Sequence, residues 1–395
     1  MPVSVPITPA PKRSTIAFIQ MLRGIAAVLV VLYHYRHDVT NPFAAYGFHS
    51  LFVNAPVGVD IFFVVSGFIM WVTTSKLTGG LADAASFVSK RFARIWPMYA
   101  LFSLAFVFAV PHEAGYLANP ATYDNLLSSL LFQPLATNNG PWLGFASLFV
   151  GWSLNYEAWF YLALGASLLF KRLRWPAFAA LIGYFLVVLP LMHGRLSFDG
   201  YNDYFFPERY LNVVANPIIW DFVFGLMIGW LYQSRFNLPG QRSARALLAL
   251  AVTLFVAQFL TGFQAGHGIT RWGPSVILLV LALAATDKLA PLRIPPLFVW
   301  LGNISYSLYL VHIIARDWLG AAFRAIGEES FTHMLSFATL SLLASIALAT
   351  LSYRYLEQPL ARLIKRVGVW IDNKLSGAVA VKTPRYQPDL VYPQT

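Results

Sequence analysis

The chain has 395 residues, of which 58% are hydrophobic and only 11% are charged, and its mean hydropathy is +0.60. This composition excludes an ordinary soluble domain and is typical of a protein with several transmembrane helices. The net charge of +11 does not indicate nucleic-acid binding, because the basic residues fall in short loops between apolar runs, where membrane topology accounts for them. The absence of cysteine excludes disulfides, cysteine-ligated metals and thiol nucleophiles.

The hydropathy pattern predicts an all-α polytopic membrane protein with about ten transmembrane helices. Most Lys and Arg residues fall in the two termini and in the connections that share their side, whereas the opposite side has six arginines. Because positively charged loops stay in the cytoplasm, we predict that both termini are cytoplasmic. The predicted spans are 16–35, 56–75, 95–110, 146–170, 176–193, 213–232, 245–262, 273–287, 298–316 and 334–353.

The sequence divides into a membrane domain and two short flanking segments. Residues 1–14 form a cytoplasmic segment with two basic residues and no clean signal-peptide cleavage site, so we expect an uncleaved first helix. Residues 15–370 form the predicted membrane domain. Its end, 357–370, is basic and amphipathic and is expected to lie on the inner surface. Residues 371–395 are expected to form a disordered cytoplasmic tail.

An arginine and a histidine lie inside the first apolar run. Arg23 and His34 are eleven residues apart, so on a helix their side chains share one face and lie about 16 Å apart along the axis. A charge at membrane depth is expensive and is by default a sign of function. We therefore expect this polar stripe to serve a reaction within the membrane.

Six short motifs follow one another along nearly the whole chain. The first is Arg23, ten residues and His34, and the others read GVDIFFVVSGF at 58–68, RFARIWP at 91–97, WSLNYE at 152–157, ISYSLYLVH at 304–312 and YLEQP at 355–359. Each motif is weak alone. In this order, together, they make the sequence resemble the acyltransferase 3 family of integral-membrane O-acyltransferases, and its first helix is similar to that of the ExoZ-type exopolysaccharide acetyltransferases.

Three residues of the first two helices are assigned catalytic roles in light of this resemblance. His34 is the expected base, because an imidazole can accept a proton from a sugar hydroxyl as that hydroxyl attacks a thioester carbonyl. Arg23 is expected to touch the pantetheine or thioester end of the donor or to form an ion pair inside the bundle. Asp60 either orients the His34 imidazole or is a carboxylate favoured by the start of its helix.

Carboxylates also occur at membrane depth further along the chain. Glu157 lies near the middle of the fourth predicted helix, where a lone carboxylate is costly, so we expect it to join the active site and to pair with Arg23 or His34. Asp221 is similar in kind. Glu357 follows the last predicted span and is expected near the inner surface, in a structural ion pair or in contact with the donor.

Two arginines mark the cytoplasmic start of the third predicted helix. Arg91 and Arg94 are three residues apart and therefore face one way. Guanidinium groups grip phosphate oxygens, and coenzyme A carries several phosphates. We therefore assign both residues to acyl-CoA binding, with positive-inside topology as the alternative explanation.

The ninth predicted helix has one polar face in an otherwise apolar sequence. Ser305, Tyr309, His312 and Arg316 fall at i, i+4, i+7 and i+11. We expect Ser305, Tyr309 and His312 to line a substrate cavity opposite His34. The alternative is hydrogen bonding between helices.

The resemblance implies an enzyme of the bacterial inner membrane. Such an enzyme takes an acetyl group from cytoplasmic acetyl-CoA, without a metal, and esterifies a hydroxyl of a cell-surface glycan, an exopolysaccharide or a lipid-linked oligosaccharide. Two alternatives stay open. One is a transporter or flippase of a glycan or acyl carrier, with the polar stripe as its substrate path. The other is an enzyme of the same fold that uses succinyl-CoA.

Overall fold

The apolar runs form helices, since a backbone within a bilayer must satisfy its hydrogen bonds internally. The computed structural model describes residues 16–40, 42–364 and 366, and these contain helices and no β-strand. The predicted all-α fold is confirmed over these residues, and the predicted segments 1–14 and 371–395 lie outside them. In chain order the α-helices are α1 (Ala17–Tyr35), α2 (Pro42–Phe52), α3 (Val57–Thr74), α4 (Leu81–Ala109), α5 (Pro120–Leu130), α6 (Trp152–Leu168), α7 (Arg174–Gly183), α8 (Leu189–Met192), α9 (Arg209–Val214), α10 (Ile219–Gln233), α11 (Gln241–Thr261), α12 (Gly273–Leu289), α13 (Pro296–Ala325) and α14 (Leu335–Ser352).

Seven helical stretches of the described residues are long and apolar enough to cross a membrane. They are Ala17–Tyr35, Tyr46–Thr74, Leu81–Ala109, Lys171–Met192, Gln241–Thr261, Pro296–Ala325 and Leu335–Ile364. Three further apolar helices, α6, α10 and α12, have 17, 15 and 17 residues. The chain is thus a multi-pass membrane protein, and the count of about ten spans and the side of the termini stay predictions.

Several helices differ in length from the spans predicted for them. α4 begins at Leu81, although the sequence predicted a connection over 76–94. α13 continues to Ala325, beyond the predicted end at 316. The described part of 357–370 continues the last helix through a π-helical turn, Tyr353–Glu357, and does not begin a separate surface helix. Hydropathy marks only the apolar part of a helix, so it misses polar helical turns beyond that part.

Glycines bring α1, α3 and their partner helices into close contact. α1 packs against α13 and α3, and α3 packs against α10. A Cβ atom at Gly302 of α13 would lie 2.1 Å from the carbonyl oxygen of Gln20 in α1, and one at Gly67 of α3 would lie 1.9 Å from that of Phe222 in α10. Small residues at helix interfaces permit such backbone contact in membrane proteins. The close packing of α1 on α13 sets the register between their polar side chains.

The two ends of α1 define two sides of the bundle, called here the near side, where α1 begins, and the far side, where it ends. Far-side loops are tied together by polar contacts: Arg271 Nη2 donates to Asp199 Oδ2 at 2.9 Å, and Asp203 Oδ1 accepts from the Gly140 amide at 2.8 Å. The hydrogen bond from Arg271 lowers the pKa of Asp199. Burial raises the pKa of Tyr201, in the same loop, to about 12. These loops form an ordered, aromatic cap on the far side.

Candidate active site

A cavity of about 80 Å³ lies between α1, α3, α4, α6 and α13. Apolar side chains of α3 and α6 form much of its wall. Its polar lining combines three arginines, one carboxylate and several hydroxyl groups: Arg23, Arg91, Arg94, Glu157, Ser66, Ser153, Tyr161, Tyr306 and Tyr309. Four of the residues predicted for catalysis or donor binding therefore share one space, although they come from three different helices.

The near part of the cavity is rich in charge. Arg23 lies close enough to Arg94, Glu157 and Glu357 for their charges to act on its guanidinium, and its Nη1 atom donates to Gln20 Oε1 at 3.4 Å. Arg91 Nη2 donates to Thr73 Oγ1 at 2.8 Å. α4 is still helical here, so Arg91 and Arg94 reach the cavity from one helix face. This arrangement suits a polyanionic ligand, because the positive charges outnumber the carboxylates around the space.

Glu157 lines the cavity and is held by hydroxyl groups. Its Oε1 atom accepts a hydrogen bond from Ser66 Oγ at 3.2 Å and another from the Tyr161 hydroxyl one helical turn away. The sequence predicted Arg23 or His34 as its partner. The structure places Arg23 within electrostatic reach and gives the direct contacts to Ser66 and Tyr161.

Glu357 belongs to this cluster, although the sequence placed it at the inner surface. Its Oε2 atom accepts from Ser307 Oγ of α13 at 2.7 Å, and the charges of Arg94 and Arg23 act on it. The π-helical turn Tyr353–Glu357 carries the residue, and such turns are frequent at functional sites. The signal in the sequence was the motif YLEQP, whose carboxylate had no assigned partner within the bundle.

His34 meets His312 at the far end of α1. His34 Nδ1 lies 2.9 Å from His312 Nε2, and the two rings meet end to end and nearly parallel, with centroids 5.1 Å apart and an interplanar angle of 25°. His312 is fully buried, whereas His34 is partly exposed. The rings of Phe149 and His34 pack edge to face, with their centroids 5.0 Å apart. The two histidines thus form a direct pair between α1 and α13.

Tyr309 lies between the cavity and this histidine pair. It lines the cavity, its hydroxyl donates to the Val150 carbonyl at 2.6 Å, and Ser153 Oγ lies 2.9 Å from the same hydroxyl. Its ring centroid is 6.3 Å from that of His312. Of the three predicted cavity residues on α13, Tyr309 lines the cavity and His312 bonds to His34. Ser305 is buried and donates to the Gly302 carbonyl of its own helix at 2.8 Å.

Asp60 does not make the contact with His34 that the sequence analysis considered. Its carboxylate is fully buried and lies 2.7 Å from His267 Nδ1, and its other oxygen accepts from the Gly268 amide at 2.8 Å. Asp221 of α10 is also fully buried and lies beside it. Asp60 stands in the first turn of α3, as the alternative reading expected. His267 was not predicted, because it comes from a loop more than 200 residues away in the chain.

The comparisons with known proteins identify relatives over most of the chain. The family model described as Acyltransferase domain matches residues 16–354. The chain is 31% identical over 318 residues to the exopolysaccharide production protein ExoZ of Rhizobium meliloti, covering 79% of this chain and 91% of that protein. It is 25% identical over 314 residues to the putative acetyltransferase ORF330 of Acidianus two-tailed virus, covering 76% and 84%. It is 24% identical over 382 residues to the peptidoglycan O-acetyltransferase OatA of Listeria monocytogenes, covering 89% of this chain and 56% of that protein. No solved structure matches the chain significantly.

Proposed function

The chain belongs to the acyltransferase family and is an O-acyltransferase, and from this premise we propose that it transfers an acetyl group from cytoplasmic acetyl-CoA to a hydroxyl of an extracytoplasmic glycan. The relatives named for exopolysaccharide production and peptidoglycan O-acetylation support a glycan acceptor. The acceptor is a cell-surface polysaccharide or its lipid-linked oligosaccharide precursor. The membrane is the bacterial inner membrane, crossed about ten times, with α6, α10 and α12 as the short spans and the near side in the cytoplasm.

The observation that carries the proposal is that three arginines line one cavity, and that Tyr309 in the wall of this cavity is a neighbour of the histidine pair. Arg23, Arg91 and Arg94 line the near part of the cavity. Tyr309 closes its far part and is the neighbour of His312, which bonds to His34. A donor with phosphates at one end and a thioester at the other matches this order of charges. Because the chain belongs to a family of acyltransferases, we favour an enzyme over the transporter or flippase that the sequence also allowed.

His34 is the proposed base of the reaction. Its imidazole takes the proton of the acceptor hydroxyl as the hydroxyl oxygen attacks the thioester carbonyl carbon. Collapse of the tetrahedral intermediate breaks the carbon–sulfur bond, the ester is released, and the thiolate of coenzyme A receives the proton from the imidazolium. Arg23, three turns earlier in α1, is the proposed contact for the pantetheine or thioester end of the donor, where its fork offers several hydrogen-bond donors.

Arg91 and Arg94 are the proposed phosphate contacts. They approach the cavity from α4, on the side from which cytoplasmic acetyl-CoA would enter. Glu157, held by Ser66 and Tyr161, provides a fixed negative charge beside Arg23 that keeps the guanidinium oriented when no donor is bound. The aromatic far-side cap is the proposed approach for the glycan, because sugar rings pack on aromatic side chains.

Sealed membrane vesicles of known orientation test the proposal. Labelled acetyl-CoA, which does not cross a bilayer, is supplied to one face, and both free coenzyme A and labelled glycan are measured. We expect consumption only when the donor is on the near side, with label appearing on glycan of the far side. Reaction with donor on the far side alone would contradict the near-side donor site. Succinyl-CoA in parallel distinguishes the acyl group, and vesicles with His34→Ala supply the background.

A further inference from the structure

We propose that His312 is a positioning residue that fixes the tautomer of His34 and so makes Nε2 of His34 the proton-accepting atom. The inference rests on the proposed function, because it concerns how the proposed base is oriented. From the sequence, His312 was expected in the cavity wall. The structure assigns it a different place, fully buried behind the base and outside the cavity lining.

The hydrogen bond to Leu308 determines which nitrogen of His312 carries the proton. His312 Nδ1 lies 3.1 Å from the carbonyl oxygen of Leu308, one turn earlier in α13. A carbonyl oxygen can only accept, so Nδ1 must donate. A neutral imidazole has one N–H, and its other nitrogen is then an acceptor. His312 Nε2 therefore presents a lone pair toward α1.

The tautomer of His312 in turn determines the tautomer of His34. Its Nδ1 atom lies 2.9 Å from the acceptor Nε2 of His312, so Nδ1 of His34 must carry the proton. The neutral ring of His34 then has its lone pair on Nε2. Among the described residues, none hydrogen-bonds to this atom, and the ring is partly exposed. The base is thus held with its reactive nitrogen free.

The surrounding charges keep both imidazoles, His312 and the resting His34, uncharged. The charged or titratable groups that face His34 are Arg36 and His37 from the end of α1, and Arg316 and His312 from α13. None of them is a carboxylate, and the carboxylates of Asp317 and Asp38 are paired with Arg316, at 2.8 Å and 3.9 Å. An imidazolium at the fully buried His312 would have no negative partner, and burying such a charge is costly.

During the reaction His312 would act as a neutral counterpart of a triad carboxylate. When Nε2 of His34 receives the proton of the acceptor hydroxyl, the ring becomes an imidazolium that donates from Nδ1 to His312 Nε2. That hydrogen bond becomes charge-assisted and stronger. The proton stays on His34 and is later given to the thiolate of coenzyme A. Tyr35, whose hydroxyl donates to the His312 carbonyl at 2.7 Å, helps to fix the backbone of α13 there.

Two amide substitutions of His312 separate this role from simple packing. His312→Gln places a terminal amide near the position of Nε2, so its oxygen can still accept from His34. His312→Asn places the same amide near the position of Nδ1, where it reaches Leu308 but not His34. The purified enzyme in detergent is assayed with labelled acetyl-CoA and acceptor glycan, and kcat and the KM for acetyl-CoA are measured separately.

We expect the Gln variant to keep kcat within a few-fold of wild type, and the Asn and Ala variants to lose about 10- to 100-fold. The KM for acetyl-CoA should stay within about two-fold in all three, since His312 does not line the donor cavity. Equal kcat values for Gln and Asn would overturn the proposal. Ser345→Ala, which removes a contact of Tyr35 at 2.7 Å, controls for loosened packing behind the pair.

A readout without turnover completes the test. Nitrogen-15 spectra of histidine-labelled protein distinguish protonated from unprotonated ring nitrogens, and the His34→Ala variant assigns the signals of His34. In wild type and in His312→Gln we expect one tautomer of His34, protonated at Nδ1. In His312→Ala we expect a mixture of the two tautomers of His34. A tautomer mixture in wild type would overturn the inference. Full activity of His34→Ala would instead overturn the proposed base itself.

Discussion

Two clusters of charged side chains within the bundle differ in what surrounds them. Around the cavity, Arg23 and Glu157 are partly exposed to a space that spans several helices. At the far-side end of α3, Asp60 and Asp221 are fully buried, and His267 is 3% exposed. The first cluster has room for a ligand, whereas the second is closed by the protein itself. We therefore propose that the same residue types serve the reaction in one place and hold the fold together in the other.

The closed cluster has a structural task that its contacts describe. Asp60 takes one bond from the His267 ring and one from the Gly268 amide, so a single carboxylate of α3 anchors the loop between α11 and α12. That loop also carries Arg271, which holds Asp199 of a second far-side loop. The cluster thus fixes the cap above the bundle. The following predictions test whether the open cluster governs activity and the closed cluster governs stability.

The largest effect on activity is expected from His34→Ala. Removing a general base typically costs about 10²- to 10⁴-fold in rate, so acylation should fall to near background. Protein level and membrane insertion should change little, whereas thermal stability should fall by about 1 kcal/mol, because the buried Nε2 of His312 loses its hydrogen-bond donor. Near wild-type acylation by this variant would remove His34 from the mechanism.

The largest effect on stability is expected from His267→Ala. Removing the ring leaves the fully buried carboxyl group of Asp60 without its hydrogen-bond partner at 2.7 Å, and an unsatisfied buried polar group costs about 1–3 kcal/mol, more if it is charged. Thermal unfolding in detergent should show this loss, while the activity of the molecules that remain folded should change little. His49→Ala, an exposed far-side histidine of α2, is the matched control and should leave stability unchanged. A stable but inactive His267→Ala enzyme would place the closed cluster in the reaction.

The sequence predicted the elements of the open cluster better than their contacts. Helical periodicity and hydropathy were enough to place Arg23 and His34 on one apolar helix, because both are local properties. Glu157 and Tyr161 are one helical turn apart on α6, so their contact also follows from local geometry, although the sequence analysis expected Arg23 or His34 as the partner of Glu157. Periodicity within a helix does not give the rotation of one helix against another. The direct His34–His312 bond depends on that rotation, so it was not predictable.

The contacts of the closed cluster could not be predicted from the sequence for the same reason. Asp60 and His267 are 207 residues apart, and no local pattern relates a helix-start carboxylate to a loop histidine. Glu357 was misplaced because hydropathy ended the last span before it, whereas the helix continues through a π-helical turn that brings it to Ser307. Long-range packing, rather than composition, decides these contacts.

Arg23→Lys tests whether the open cluster needs a guanidinium or only a positive charge. We expect a loss of at least about tenfold in kcat/KM, because a hydrogen bond to a charged group contributes about 1.5–3 kcal/mol and an ammonium cannot reproduce a planar fork. Arg172→Lys, an exposed near-side substitution of the same type, should have no effect. Full activity of the Arg23→Lys enzyme would reduce this residue to a counter-charge for Glu157.

Arg91→Ala combined with Arg94→Ala should weaken donor binding more than it lowers the maximal rate. Phosphate contacts remote from the reacting carbon are made equally in the ground and transition states, so KM for acetyl-CoA should rise by roughly tenfold while kcat changes less. Lys90→Ala removes a neighbouring exposed charge of α4 that does not line the cavity and is the matched control. An unchanged KM in the double variant would leave the arginines as topology determinants only.

The smallest effect is expected at the far-side surface, where Asp199→Asn removes the ion pair with Arg271. The two side chains are 40% and 31% exposed, so the pair is worth well under about 1 kcal/mol after solvent screening. Because the hydrogen bond from Arg271 lowers the pKa of Asp199 in the folded state, its stabilisation is present above the ordinary pKa of 3.8 and is lost as the pH falls below that value. Unfolding of wild type and variant should therefore differ slightly at neutral pH and converge in acid. A large, pH-independent difference would mean that the cap, and not only the closed cluster beneath it, carries the stability of the far side.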